Sequence, residues 1–382
     1  MSGVRVLWFN WKCVKHPEAG GAEVYTHEVA ERLSAIGYEV VLVTSKSKEL
    51  LASEVINGYR VIRCGGRYSV YYNAWKVYRR LCERGWRPDV VIDEVNTIPF
   101  FTPLYVREPI VMLIHQLCKD CWSYAIHPAV QTLGWFIERK IHGLYVNAAR
   151  DGRLRAVITV SNSTMQDLVD LGYPADIIRI AYNGLDLELY RDDIDLLSRE
   201  KDDLVTYVGR ISPYKRLEEL LIAWKYVEQN HSTASLVIAG RPVFKYLRKL
   251  EELSKKLELK RVKFKPSISH FDKKQLLARA KALVYTSIRE GWGQTVLEAA
   301  ACRTPAIAYN VPGLRDSVRH METGILVDRG DVRRLAEAIL LLLTDAELHR
   351  KLAEKAYEYA RQFTWSNTVE AFVKVIELIT NG

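Results

Sequence analysis

Cysteine is scarce, with six in 382 residues, too few for a secreted disulfide framework, and only Cys118 and Cys121 share a local pattern. A reducing compartment is the expectation. Glycine (21) and proline (12) are too few for a collagen-like, low-complexity or disordered chain when 48% of residues are apolar and 26% charged. No apolar run approaches the roughly 20 residues that cross a bilayer. The stretch from Met1 to Asn10 lacks the charged start, apolar middle and cleavage site of a leader, so a cytoplasmic protein is expected. No strand-like run is followed by Gly-x-Gly-x-x-Gly with a downstream acid, which argues against a nicotinamide dehydrogenase on two Rossmann domains. Nor is there a compact basic helix or aromatic motif for nucleic acid, so a basic nucleic-acid-binding protein has only net charge behind it, and nucleic acid is not an expected partner.

What is present fits an ordinary globular protein of two domains. The net charge is +9 and the pI about 9.1. That excess suits phosphate-rich ligands or anionic lipid, and equally a mixed-charge surface of the kind found in heat-adapted proteins.

Short apolar runs at Val4 to Asn10, Val40 to Thr44, Val90 to Asp93, Ile110 to His115 and Ala156 to Val160 alternate with helical stretches such as Ala74 to Arg84. Their uniform apolarity predicts buried parallel strands. An acidic stretch from Asp192 to Asp203 reads as a linker, after which the alternation restarts at Leu204 to Val208 and continues through Leu236 to Ala239, Val262 to Phe264, Ala282 to Tyr285, Ala306 to Tyr309 and Gly324 to Val327. The pattern predicts two doubly wound α/β domains in tandem, with a ligand beyond the carboxyl ends of the strands in the cleft between them.

Three segments carry chemistry. Glu290-Gly291-Trp292-Gly293-Gln294-Thr295-Val296-Leu297-Glu298 follows a strand and opens a helix, offering backbone N–H groups to an anion and two carboxylates to two sugars. As an isolated pair, Glu290 would read as a capping acid and Glu298 as a solvated helix residue. Gly209-Arg210 with Lys215 places two cations after the first strand of the second half, enough to neutralise a diphosphate without metal. Gly20 and Gly21 form the matching loop in the first half, where a side chain would hold the backbone away from phosphate oxygens.

Taken together with Ala19-Gly20-Gly21-Ala22-Glu23, Ser161 to Asp167, Asn183-Gly184-Leu185-Asp186 and Thr323-Gly324-Ile325-Leu326-Val327, these segments resemble the GT4-type retaining glycosyltransferases over nearly the whole chain. The resemblance implies the GT-B fold, two Rossmann-like domains facing each other across a deep cleft: residues 1–185 for the acceptor, 186–365 for the nucleotide sugar, and a C-terminal helix, 366–382, packed back on the first. It implies transfer of a hexose from a UDP- or GDP-linked donor, with no cofactor and no metal. Arg210 and Lys215 would hold the diphosphate, Glu298 the ribose and Glu290 the hexose. Backbone N–H groups of Gly291, Trp292, Gly293 and Gln294 would contact the hexose and phosphate, with Thr295 also at the donor. Ser267 and Ile268 would lie at the base, in a loop where relatives often have glycine and this chain has Lys265-Pro266. His115 is similar to the family's histidine near the donor sugar and incoming hydroxyl, acting as an orienting and polarising group.

Two further signals are weaker. Asp193-Ile194-Asp195 matches a metal pattern but lies in the acidic linker, and Cys118-Lys119-Asp120-Cys121 lacks the second pair that a zinc site needs. The segment from Cys121 to Val146 interleaves Trp122, Tyr124 and Trp135 with cations, suiting a glycan wall or an anionic membrane surface, while Val130, Ile137, Ile141 and Leu144 predict the helix face turned to the core. The acceptor would then be a glycan or polyprenyl-linked molecule, with a soluble enzyme making a small glycoside or disaccharide as the alternative.

Overall fold

The computed structural model describes residues 3–119, 128–191 and 201–381, so Trp122, Tyr124, Cys121 and the Asp193 to Asp195 motif lie outside the described residues, as does the side chain of Trp135. The chain forms two compact units, one of residues 3–119, 129–184 and 365–381, the other of 185–191 and 201–364.

The first unit holds β1 (Arg5–Phe9), α1 (Gly21–Ala35), β2 (Glu39–Thr44), β3 (Ser53–Ile56), β4 (Tyr59–Arg63), α2 (Val70–Glu83), β5 (Val90–Val95), β6 (Ile110–Ile114), α3 (Pro128–Arg150), β7 (Leu154–Thr159), α4 (Asn162–Asp170) and β8 (Ile178–Ile180). Its eight strands run in the order β3-β4-β2-β1-β5-β6-β7-β8, all pairs parallel except the β3–β4 hairpin. The period of two along β1 sends Leu7 and Phe9 into one core, where Phe9 stacks on Phe100 at 5.3 Å, and turns Trp8 to the opposite face.

The second unit holds β9 (Asp202–Val208), α5 (Leu217–Asn230), β10 (Ser235–Gly240), α6 (Phe244–Lys256), β11 (Val262–Pro266), α7 (His270–Arg279), β12 (Ala280–Tyr285), α8 (Gln294–Ala301), β13 (Ala306–Tyr309), β14 (Gly324–Val327), α9 (Val332–Thr344) and α10 (Ala346–Ala360). Its six strands are all parallel, in the order β11-β10-β9-β12-β13-β14. The last helix, α11 (Trp365–Thr380), belongs to the first unit, where Phe372 stacks on Trp8 at 5.5 Å.

Each sheet begins at its middle and winds both ways. The strand order reverses at β1/β5 in one unit and at β9/β12 in the other, the point in a doubly wound sheet where ligands generally bind beyond the carboxyl ends. Asn10, Asn96 and His115 follow β1, β5 and β6; Arg210 and Glu290 follow β9 and β12.

The inward face of α3 differs from the hydrophobic expectation. Glu138, His142, Tyr145, Val146 and Ala148 are buried, whereas Ile137 is exposed and Ile141 and Leu144 are half-buried. The buried polar groups are retained because each has a fixed partner. Glu138 accepts the N–H groups of Cys118 and Lys119, His142 meets the Tyr173 hydroxyl at 2.8 Å, and Tyr145 donates to Asp93. Burial lowers the pKa of His142 to about 4, leaving it a neutral core histidine.

Candidate active site

In the second unit, the turn after β9 exposes Arg210, whose guanidinium has no hydrogen bond or ion pair among the described residues. Lys215, in the one-turn 3-10 helix Pro213–Lys215, is the opposite case: 5% exposed, it donates to Glu290, and its ammonium lies 4.8 Å from the ring of Tyr214 and 5.3 Å from that of Tyr285. Burial would lower its pKa, but Glu290 and the surrounding tyrosine hydroxyls outweigh burial and hold it well above the usual lysine value. Lys215 is therefore a fixed cation.

The turn after β9 is itself pinned, since Tyr207 donates to the Arg210 carbonyl at 2.8 Å and Tyr285 to that of Val208 at 2.6 Å. Glu290 is set from the other side. Its N–H donates to the Pro312 carbonyl at 3.0 Å, and Gly313 stands so close at φ +82° that a Cβ there would lie 2.1 Å from the Glu290 carbonyl oxygen. Only glycine fits this approach.

Helix α8 begins at Gln294 with Gly293 as its N-cap, so Glu290 lies in the loop before the helix and caps nothing. The N–H groups of Gly291 and Gly293 have no partner among the described residues. The ring of Trp292 is 2% exposed and packs on Phe363 at 5.1 Å, which leaves its backbone as the part that faces the loop. Glu298 is not a solvated helix residue. It is 7% exposed and accepts from Lys273 on α7 at 2.7 Å, with Tyr190 beside it. Ser267, at φ +68°, donates its N–H to Gly240 at 3.2 Å, and Ile268 is half-buried against the core. Lys273 was not legible as a site residue, since a lysine in a lysine-rich helix carries no local signal.

In the first unit, Gly20 is the N-cap of α1 in an extended conformation, and a Cβ on Gly21 would meet nothing within 4 Å. The helix start already holds a carboxylate: Glu23 accepts the Gly20 N–H at 2.6 Å, with the ammonium of buried Lys12 at 3.6 Å. His115, one residue past β6, lies edge-on to Tyr25 at 5.0 Å and 88°, and its Nε2 is 3.2 Å from Glu94 Oε1. Glu94 is fully buried, and burial pushes its carboxyl up against the opposing hydrogen bonds from His115 and Thr26. Sequence reasoning passed over Glu94 and Lys12, and read Tyr25 only as part of the apolar face of α1, where it is indeed buried.

Two doubly wound α/β units following one another along the chain are the architecture of the GT-B fold. Solved structures share that fold: sucrose-phosphate synthase from Thermosynechococcus elongatus (TM-score 0.82, 22% identity, 99% of each chain) and Anabaena HepE in complex with UDP and glucose (TM-score 0.76, 20% identity, 98% of this chain and 99% of that one). Residues 19–189 match the family described as Glycosyltransferase Family 4, and residues 191–359 match Glycosyl transferases group 1. The D-inositol 3-phosphate glycosyltransferase of Salinispora tropica is 33% identical over 395 residues, covering 94% of this chain and 81% of that protein. Glycogen synthase of Mycobacterium tuberculosis is 25% identical over 406 residues, covering 97% and 94%. The chain belongs to the group 1, family 4 glycosyltransferases.

Proposed function

We propose that this glycosyltransferase moves a hexose from a UDP- or GDP-linked donor to a hydroxyl of a glycan or polyprenyl-linked acceptor, with retention of anomeric configuration and without a metal ion. The observation that carries the reading is the grouping at the β9/β12 switch point of an exposed cation, Arg210, with a buried one, Lys215, whose present counter-ion is Glu290. When the diphosphate arrives, Lys215 exchanges one anionic partner for another, and Glu290 is released to accept hydrogen bonds from hexose hydroxyls. The two cations and the N–H groups of Gly291 and Gly293 then neutralise the charge that grows on the departing diphosphate. Glu298, held by Lys273, accepts from the ribose hydroxyls in this reading. HepE was crystallised with UDP-glucose, which supports a nucleotide-sugar donor of this kind.

Membrane contact is part of the same reading. No helix among the described residues is long and apolar enough to cross a membrane. On α3, however, Phe136 (53% exposed) and Ile137 stand beside exposed Arg139 and Lys140, with the Lys140 ammonium 5.3 Å from the Phe136 ring. Such a face suits anionic lipid.

The test is hydrolysis and transfer measured across a panel of UDP- and GDP-sugars, with and without EDTA, and with the anomeric configuration of the product read by NMR. Turnover of one donor with retention, unaffected by chelation, is the expected result. Inversion, or loss of activity restored only by a divalent ion, overturns the mechanism.

A further inference from the structure

The hydrogen bonds around Glu94 have a definite polarity. Trp8 Nε1, which can only donate, reaches Glu94 Oε2 at 2.8 Å. Asn10 Nδ2 donates to Thr26 Oγ1 at 2.9 Å, and Thr26 passes its own proton to the same Oε2 at 2.6 Å, a shorter contact than its 3.1 Å approach to the Ala22 carbonyl. Oε2 thus accepts twice and carries no proton. Oε1 faces His115 Nε2 at 3.2 Å. With Glu94 ionised, Oε1 too can only accept, and Nε2 then bears the ring hydrogen. The ring cannot easily turn away, because Tyr25 packs edge-on against it and Thr164 Oγ1 holds the His115 carbonyl at 3.1 Å. His115 Nδ1 has no hydrogen-bond partner among the described residues, on a side chain 14% exposed to solvent.

We propose that Glu94 is a positioning residue that locks His115 in the Nε2–H tautomer, so that Nδ1 presents its lone pair to the acceptor hydroxyl. The proposal rests on the sugar-transfer reading for the identity of that hydroxyl, but the tautomer is a property of the first unit alone. Thr26 and Trp8, with Asn10 behind Thr26, serve it indirectly by fixing the carboxylate and favouring its ionised form against the burial that disfavours it.

Glu94→Gln makes a sharp test, because the amide has only one orientation that satisfies its neighbours. Trp8 and Thr26 need an acceptor, so the amide oxygen must face them and the NH2 must face His115. An N–H pointed at Nε2 forces the ring hydrogen to Nδ1 and removes the lone pair from the substrate side. The measurement is two-bond 15N–1H NMR on the full chain with labelled histidine, the His115 signal being assigned by its loss in His115→Gln. Wild type should show Nε2–H and Glu94→Gln should show Nδ1–H, with kcat lower by on the order of 100-fold and donor KM little changed. A wild-type Nδ1–H tautomer, a variant that keeps Nε2–H, or an unchanged kcat overturns the proposal. If Glu94→Gln fails to fold, the wild-type spectrum decides alone. If wild type transfers from no nucleotide sugar, the sugar-transfer reading fails while the spectrum still decides the role of Glu94.

Discussion

Lys273 donates to Glu298 at 2.7 Å across the contact between α7 and α8, so the carboxylate assigned to the ribose is already oriented before any ligand arrives. A contact of this kind binds ground state and transition state alike. Glu298→Ala should therefore raise donor KM roughly tenfold or more while kcat at saturating donor survives, as read from initial rates over a donor titration. Lys273→Met should do the same more weakly and should also cost about 2 kcal/mol of stability, because it strands a buried carboxylate. Unchanged donor affinity in Glu298→Ala would mean that the ribose lies elsewhere.

Arg210 and Lys215 should separate by what they do to the fold. Arg210 is exposed and has no ion pair among the described residues, so Arg210→Ala should leave the urea midpoint unchanged. Lys215→Ala strands Glu290 and should lower stability by about 3 kcal/mol. In kinetics the two converge. The double variant should lose at least about 3 kcal/mol of transition-state stabilisation, on the order of 150-fold in kcat. Full activity in the double variant would remove both from the site.

Lys201 gives a pH signature unrelated to the site. Its ammonium is surrounded by neutral acceptors, the carbonyls of Ala278 and Cys302 at 2.5 and 2.7 Å and Thr304 Oγ1 at 2.9 Å. Burial lowers its pKa from 10.5 to about 8. Between those values the unfolded chain binds the proton and the folded one does not, so this group adds stability as pH rises from about 8 to 10.5 and adds none below about 8. Urea denaturation of wild type and Lys201→Met at pH 7.5 and pH 10 should show wild type gaining relative to the variant at the higher pH. A constant difference between the two proteins would contradict the assignment.

Phe136→Ala with Ile137→Ala should weaken sedimentation with anionic liposomes by roughly tenfold, since two exposed apolar side chains are removed from the cationic face of α3. Wild-type binding should fall as salt is raised. Equal pelleting on neutral and anionic vesicles, or no change in the variant, would favour a soluble acceptor.

Most strands were legible because a parallel strand covered on both faces must be apolar at nearly every position, as Val90 to Ile92 and Leu236 to Ala239 are. The β3–β4 hairpin was not read, although Asn57-Gly58 between its strands is a turn signal and both residues adopt positive φ. Its alternation of exposed and buried residues is an edge pattern, unlike the continuous runs elsewhere. The inward face of α3 was misjudged for a related reason. Hydrophobicity ranks Ile137 above Glu138, but Glu138 satisfies two backbone N–H groups 19 and 20 residues away, and sequence distance hides such a partner. The same holds at the site. Motif residues such as Arg210 and Glu290 announce themselves by spacing, whereas Lys273, Glu94 and Tyr25 matter only through what the fold sets beside them.

The helix Trp365–Thr380 imposes an order of assembly. Trp8 and Tyr25 emerge from the ribosome early, yet the residues that cover them, Phe372 and Trp365, are synthesised only after the whole of the second unit. At typical elongation rates the wait is on the order of ten seconds or more, during which two large aromatic side chains of the nascent first unit lack their cover. A ribosome stalled within the second unit should therefore carry a first unit that is protease-sensitive around β1 and α1, and release of α11, rather than completion of the second unit, should bring protection.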